Sequence, residues 1–236
     1  MRDLEAFLCA ATVDPAVYEL RPDYRAVLIA VDGIEPGPSD DESEALLTAA
    51  EDTARRWTDR SPVEQLPHIA AWRAAYRAFG AKPQRTRNSV EALTRRAGGG
   101  LPRVNRLTDI YNAVSVLHQL PVGGEDLDRY AGAPRLLRAT GDEPFDTIAD
   151  GSDAVEHPDP GEVVWCDQVG VTCRRWNWRQ GQRTQLHSNS QAALFILDVL
   201  DPMTNDEVTA AADTFRTHIT RLGPEVRVAQ RFIANT

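Results

Sequence analysis

Two clusters of polar side chains carry whatever chemistry this chain can do. In the first, Asn105, Asp109 and Asn112 recur within two turns of a helical pattern, and Gly123-Gly124 runs straight into Glu125, Asp126 and Asp128. Carboxylates beside amides can hold an amine or orient a water, and paired glycines let a backbone turn tightly or come close to a ligand. The same residues also describe an ordinary solvated turn leading into a strand. The second cluster is His187 with Thr184 and Ser188. An imidazole titrates near neutrality and suits a general base, though a lone histidine after a strand is as readily a hydrogen-bonding residue. Signatures of covalent or metal chemistry are missing: there is no Gly-x-Ser-x-Gly elbow and no His-Glu-x-x-His, and Cys9, Cys166 and Cys173 have no structural-zinc spacing. No metal, no cofactor and no covalent intermediate are expected.

Those side chains need elements to hold them. Leu107, Ile110, Tyr111, Val114, Leu117 and His118 recur at the spacing of one buried helix face, which turns Thr108, Asp109, Asn112 and Ser115 elsewhere. Pro121 stops that helix. Earlier in the chain, Ala26 to Val31 reads as a buried strand. A helix from about 41 to 57 follows, capped by Ser39 or Asp40, and then another from Val63 to Phe79 with His68 on its surface. Ser89 to Arg96 reads as a helix capped by Ser89 and stopped at the triple glycine 98–100. Later, Pro134 to Ala139, Glu162 to Cys166 and Val169 to Cys173 read as strands, the last two forming a hairpin through Asp167-Gln168, and residues 150–162 read as a loop. Ala192 to Val199 is a further strand, Asn205 to Leu222 an amphipathic helix, and 225–236 a possible last strand. Strands mixed with helices without regular alternation indicate an α+β fold, mixed or antiparallel sheets layered with helices.

The chain has 236 residues, 42% hydrophobic and 26% charged, enough for a sizeable core in one large or two interlocked domains. Its start carries acids at Asp3 and Glu5 and only a short apolar run, and no stretch is long enough to span a bilayer, so a cytoplasmic protein without a membrane partner is expected. A net charge of −9 argues against general nucleic-acid affinity, and DNA is not an expected partner. The distribution says more than the sum. Lys82, Arg85, Arg87, Arg95, Arg96, Arg103 and Arg106 stand against the single acid Glu91, and Arg174, Arg175, Arg179 and Arg183 are interleaved with Trp176 and Trp178. Arginine beside an aromatic is what clamping a phosphate backbone and stacking a base would use. The other reading is a solvated basic face with two tryptophans packed inward. Nothing in the pattern sets an oligomeric state.

Asn105, Asp109 and Asn112, followed by Leu120-Pro121 and the Gly-x-Asp of 124–126, resemble the editing domain of the phenylalanyl-tRNA synthetase β subunit, its fused third and fourth domains. Pro160-Gly161-Glu162 and the Arg-Arg-Trp-Asn-Trp-Arg of 174–179 resemble free-standing relatives of that domain, of which the canavanyl-tRNA(Arg) deacylase is one type. The resemblance covers roughly residues 65 to 200. It implies one editing-type unit over 1–236, made of an N-terminal strand and helices over residues 1–80, a basic connector over 81–106, a core over 101–200 and a C-terminal helix and tail over 201–236. It also implies hydrolysis of the ester that joins a wrong amino acid to tRNA. Asp109, Asn112, Asp126 and His187 would then be catalytic, and Asn105, Gly123, Gly124, Glu125 and Thr184 would bind substrate. Lys82, Arg85, Arg87, Arg95, Arg96, Arg174, Arg175, Trp176, Trp178 and Arg179 would bind the tRNA. One departure matters: where the synthetase domain has His followed by Ala-Phe-Asp, this chain reads Gly123-Gly124-Glu125-Asp126. A histidine base cannot be carried over, and an acid in the amino-acid pocket favours a cationic, arginine-like side chain. Two alternatives stand beside this: a non-catalytic tRNA- or amino-acid-binding protein, and a deacylase of misacylated phenylalanine tRNA.

Overall fold

In the computed structural model, which describes residues 2–235, the elements follow in this order. Helix α1 (Leu4–Cys9), strand β1 (Thr12–Val13) and helix α2 (Pro15–Leu20) lead into strand β2 (Arg25–Asp32). Helices α3 (Asp41–Thr58), α4 (Pro67–Ala78), α5 (Ser89–Ala97) and α6 (Arg106–His118) come next. Strands β3 (Val122–Asp126), β4 (Arg135–Arg138), β5 (Phe145–Ala149), β6 (Ser152–Glu156), β7 (Val163–Cys166), β8 (Val171–Arg174), β9 (Arg179–Gln180) and β10 (Ala193–Val199) then precede helix α7 (Asn205–Ile219) and strand β11 (Arg227–Ala234). The fold is α+β. Among the described residues no helix is long and apolar enough to cross a membrane.

Three sheets form, ordered β11-β2-β10-β3, β1-β4-β7-β8-β9 and β5-β6. The four-stranded sheet is antiparallel, and its β2 and β10 are buried on both faces. Val27, Ile29 and Val31 of β2 join Phe195 and Leu197 of β10 in one cluster with α6 and α7, while Ala26, Leu28, Leu194 and Ile196 face the other way, toward Trp72, Trp165 and Trp176. That is why both strands read as unbroken apolar runs rather than as alternation.

The helix ends follow from local chemistry. Asp40 caps α3 in a reciprocal box with Ser43, Asn88 rather than Ser89 caps α5, and Thr204 and Glu207 cap α7. The helix expected from Val63 to Phe79 is broken, because Pro67 pushes Leu66 out of the helical region and leaves a short 3-10 turn at Val63–Gln65. His68 is not on the surface. Its Nδ1 donates to the Gln119 carbonyl at 2.7 Å and its Nε2 accepts from the Leu200 amide at 3.0 Å, and burial lowers its pKa to about 4. Residues 150–162 are not one loop either, since β6 pairs with β5 in a hairpin. The hairpin between β7 and β8 turns through Asp167 to Gly170, with the Asp167 carboxylate accepting from the amides of Val169 and Gly170 at 2.9 and 3.2 Å.

Pro160-Gly161-Glu162 and the segment 174–179 are one structural unit. Glu162, 2% exposed, accepts from Arg174 Nε at 2.9 Å, Arg174 Nη2 at 2.8 Å and the Arg175 amide at 3.1 Å. A step further along the same segment, Asn177 accepts from the Tyr76 hydroxyl at 3.0 Å and donates to Asp198 at 3.3 Å, and Tyr24 donates to the same carboxylate at 2.7 Å. The segment therefore stitches the five-stranded sheet to β10. Removing one partner of a buried pair strands the other charge, so Arg174→Ala is expected to lower unfolding free energy by about 3–5 kcal/mol, whereas the double variant Arg174→Met/Glu162→Leu recovers most of it. Urea unfolding of the three proteins would check this, and equal losses in the single and double variants would contradict it.

Candidate active site

The site is built around the edge strand β3. After α6, Gln119 takes a left-handed conformation, and Leu120-Pro121 delivers the chain into β3, which pairs with β10 from Val122 to Asp126. Gly123-Gly124 is thus strand rather than turn. A Cβ on Gly124 would come within 2.8 Å of Leu186 and 2.9 Å of Phe195, and one on Gly123 would meet Gln180 Nε2 at 3.4 Å. Gly124 thus makes room for the side chains of Leu186 and Phe195, whereas the Gly123 contact is an ordinary one.

The outer edge of β3 is covered by the segment that follows β9. The Asp126 amide donates to the Thr184 carbonyl at 2.8 Å, and Glu125 bridges to Gln185. Ser190 donates to Asp126 Oδ2 at 2.6 Å and accepts from the His187 amide at 2.9 Å, while Asp126 Oδ1 accepts from the Asp128 amide at 2.9 Å. Arg183 is fixed by both oxygens of Asp167, at 2.8 and 2.9 Å, and donates to the Arg129 carbonyl at 2.7 Å. The result is an exposed His187 on a ridge between two clefts, with Arg129 lining both. A cleft of about 300 Å³ is lined by Asp126, Asp128, Arg129, His187, Asn189, Ser190 and Gln191. A larger one of about 520 Å³ is lined by Arg129, Asp146, Asp153, Val155, Gln182, Arg183 and His187, with Ala154 beside them. Asn105 caps α6 through Thr108 and borders a small crevice that also touches His187 and Ser190. Among the described residues no group of three or more His, Cys, Asp or Glu is placed to hold a metal ion.

Several residues expected at the site lie elsewhere. Asp109 is fully buried against α3, where it accepts from Ser39 at 2.5 Å, Ser43 at 3.5 Å and the Val104 amide at 2.9 Å, so it anchors the entry to α6 and touches no open space. Asn112 is buried as well, because α6 packs against α3 and α5 in addition to the sheet and has no solvated side there. Thr184 is buried with its hydroxyl unpartnered among the described residues. Glu125 is 1% exposed and accepts from the Tyr130 hydroxyl; burial pushes its carboxyl up to about 7, against the pull of that hydrogen bond. What reaches the clefts is Asp126 and His187. They are joined there by Arg129, Asp146, Asp153, Gln182 and Ser190, which no local pattern in the sequence marks.

The two basic stretches come together, since the Ser89 amide donates to the Asn177 carbonyl at 3.0 Å. Lys82, Arg85, Arg87 and Arg96 are exposed. Arg95 is engaged by Glu64 and Glu91 at 2.6 and 3.0 Å. Arg174 and Trp176 cannot meet RNA, because the first is buried on Glu162 and the second is fully enclosed between Trp72 and Tyr24. Trp178 is partly buried, with Arg175 and Arg179 over its ring at 4.5 and 4.8 Å, so it stacks on guanidiniums already.

The family model for the B3/4 domain matches residues 71–219, well over half of the chain. The chain belongs to the B3/4 domain family. This is the family of the phenylalanyl-tRNA synthetase β subunit, and it agrees with the resemblance carried by residues 105–126. One solved structure similar to this B3/4 protein is an N-terminal fragment of the phenylalanyl-tRNA synthetase β subunit from Pyrococcus horikoshii. It is 11% identical with a TM-score of 0.47, and the match covers 93% of this chain and 50% of that one, so this chain spans about half the length of that structure. No curated protein matches the chain.

Glu125 supplies a pH signature. Its folded pKa, near 7, lies above the ordinary carboxylate value, so its contribution to stability is full below about pH 4.5 and is lost as pH rises through 7. Glu125→Gln is expected to stabilise the protein at pH 8 by on the order of 2–3 kcal/mol, with the difference vanishing toward pH 5. Denaturant melts across that range would test it; a variant equally destabilised at both ends would mean that the carboxyl stays charged in the folded state.

Proposed function

We propose that this B3/4 domain is a trans-editing hydrolase that deacylates mischarged aminoacyl-tRNA, with preference for a basic, arginine-like amino acid such as canavanine on arginine tRNA. The observation that carries this reading is the pair of clefts meeting at Arg129 and His187, the smaller of them walled by Asp126 and Asp128. The cleft of about 300 Å³ holds the carboxylates of Asp126 and Asp128, the second paired with Arg2 at 2.8 Å, beside Arg129, and a carboxylate there suits a cationic side chain better than a phenolic one. A water held on the ridge attacks the ester carbonyl carbon, the carbonyl carbon's bond to the ribose oxygen breaks, and that oxygen leaves with a proton. An aminoacyl ester is already activated, so holding water and ester together supplies much of the remaining barrier reduction. His187, exposed and lining both clefts, is the group that can take the water's proton and pass it on. Asp126 fixes the ridge through Ser190 and gives the smaller cleft its charge. The exposed Lys82, Arg85, Arg87 and Arg96 are available to phosphates of the tRNA body, which position without specifying sequence.

One observation favours the non-catalytic alternative: no side chain among the described residues hydrogen-bonds the His187 ring, so nothing fixes its tautomer. Release of amino acid from a panel of correctly and incorrectly charged tRNAs separates the two readings. Selective release from a cationic ester is expected, with His187→Ala slowing it about 10²-fold or more and Asp126→Asn weakening the preference for cationic esters. Binding without release would leave a binding protein, and a preference for tyrosyl esters would remove the cationic substrate. Binding to tRNA should fall with salt, and each of Lys82→Gln, Arg85→Gln and Arg96→Gln that removes a phosphate contact should flatten the log–log slope by about 0.7–0.9. Salt-independent binding would exclude those contacts.

A further inference from the structure

The larger cleft has a wall that hydrolysis of an ester does not by itself account for. Strands β5 and β6 pair Asp146 with Val155 and Ile148 with Asp153. Alternation along the strands puts these four side chains on one face, the two carboxylates on one diagonal and two apolar groups on the other. Ile148 is 57% exposed and Val155 64%. The opposite face of the hairpin turns Phe145 and Thr147 into the protein, so this face is the solvent side, where bare apolar side chains gain nothing for the fold.

Polar groups of the cleft are partly spoken for. Asp146 Oδ2 accepts from the Arg183 amide, and Asp153 Oδ1 accepts from Gln182 Nε2 at 3.1 Å. The second oxygen of each carboxylate has no donor among the described residues. Arg183 is held by Asp167, which leaves Arg129 as the cation of the cleft with no carboxylate partner among the described residues. Acceptors on one wall suit hydroxyl and amino donors, an exposed apolar patch suits the flat face of a ring, and one unpaired guanidinium suits a single phosphate. At about 520 Å³ the cleft has room for a ligand of nucleotide size.

We propose that the larger cleft is a nucleotide subsite for the terminal residue of the aminoacylated RNA. Its base lies over Val155, with Ile148 beside it on the same face of the hairpin, its free ribose hydroxyl and exocyclic amine donate to Asp146 and Asp153, and its 5′-phosphate meets Arg129. The assignment rests on the deacylase reading and gives the substrate a direction: amino acid in the smaller cleft, nucleotide in the larger, ester on the His187 ridge between them.

Titration of the full chain with adenosine 5′-monophosphate, followed by methyl NMR of Val155 and Ile148, tests the subsite without any reaction. Saturable binding is expected, weakened about tenfold or more by Val155→Asp and by Arg129→Ala, with the Arg129 effect absent for adenosine, which has no phosphate. No saturable binding, or binding that both variants leave unchanged, would overturn the proposal. Both side chains are exposed, and circular dichroism would verify that the variants fold. In turnover, Val155→Asp should lose at least about ten times more kcat/KM on a mischarged tRNA than on the methyl ester of the same amino acid, and equal losses on the two would also overturn the subsite. If the wild-type protein cleaves no ester, the deacylase reading falls, while the nucleotide titration still decides the subsite.

Discussion

The structure depends on burying β2 and β10 on both faces. Two strands with apolar groups on each side need a layer above and a layer below, and the chain supplies α6 and α7 for one and the β4-β7-β8 sheet with α4 for the other. Each buried large side chain contributes about 1.5–3 kcal/mol relative to exposure, so this sheet dominates the stabilising side of folding. β3 then follows as a consequence. It adds to the open edge of β10 and leaves an edge of its own, whose unpaired amides and carbonyls need partners. The segment 184–190 provides them, and the ridge that carries His187 is the outside of that cover.

Polar groups inside this frame divide into those that hold it and those left to act. Glu162, Arg174, Asn177, Asp198, Tyr24 and Tyr76 are engaged with one another and join the five-stranded sheet to β10. Such a network is expensive when half-made, which explains why a stretch as polar as 174–179 lies largely inside. Asp109 does the same for the entry to α6. Glu125 and Asp198 are buried carboxyls, both pushed up to about 7 by desolvation, so the space between the sheets favours protonated acids. Charge that remains available collects at the clefts and at Lys82, Arg85, Arg87 and Arg96 of the connector.

The arginine–tryptophan segment shows how a composition signal can name the right region and the wrong atoms. Arginines interleaved with tryptophans suggested stacking on bases, and Trp178 does stack, though on Arg175 and Arg179. Trp176 is core. In the connector, by contrast, Lys82, Arg85, Arg87 and Arg96 are exposed, while Arg95 and Arg103 are paired with carboxylates of Glu64, Glu91, Glu44 and Glu51.

Much of the scaffold was legible in the chain itself. The apolar runs 26–31 and 192–199, the cap at Asp40, and the strand pair around Asp167 are local patterns with local causes, and they place most elements to within a few residues. Which face of α6 met solvent was not legible. Its apolar stripe marks the sheet side correctly, but α3 and α5 cover the opposite side, and a helix packed on several sides needs partners from distant sequence. The paired glycines read as a turn because their small size was taken as freedom, whereas both lie in β3 and Gly124 uses its size for closeness to Leu186 and Phe195. Sequence thus determined the family, the α+β layering and the neighbourhood of Asp126. Only tertiary structure decided that Asp109 and Glu125 are enclosed and that Arg129, Asp146, Asp153 and His187 share an open surface. Those four come from three segments, and what joins them is the pairing of a strand edge with a cover some sixty residues away, which no short-range pattern encodes.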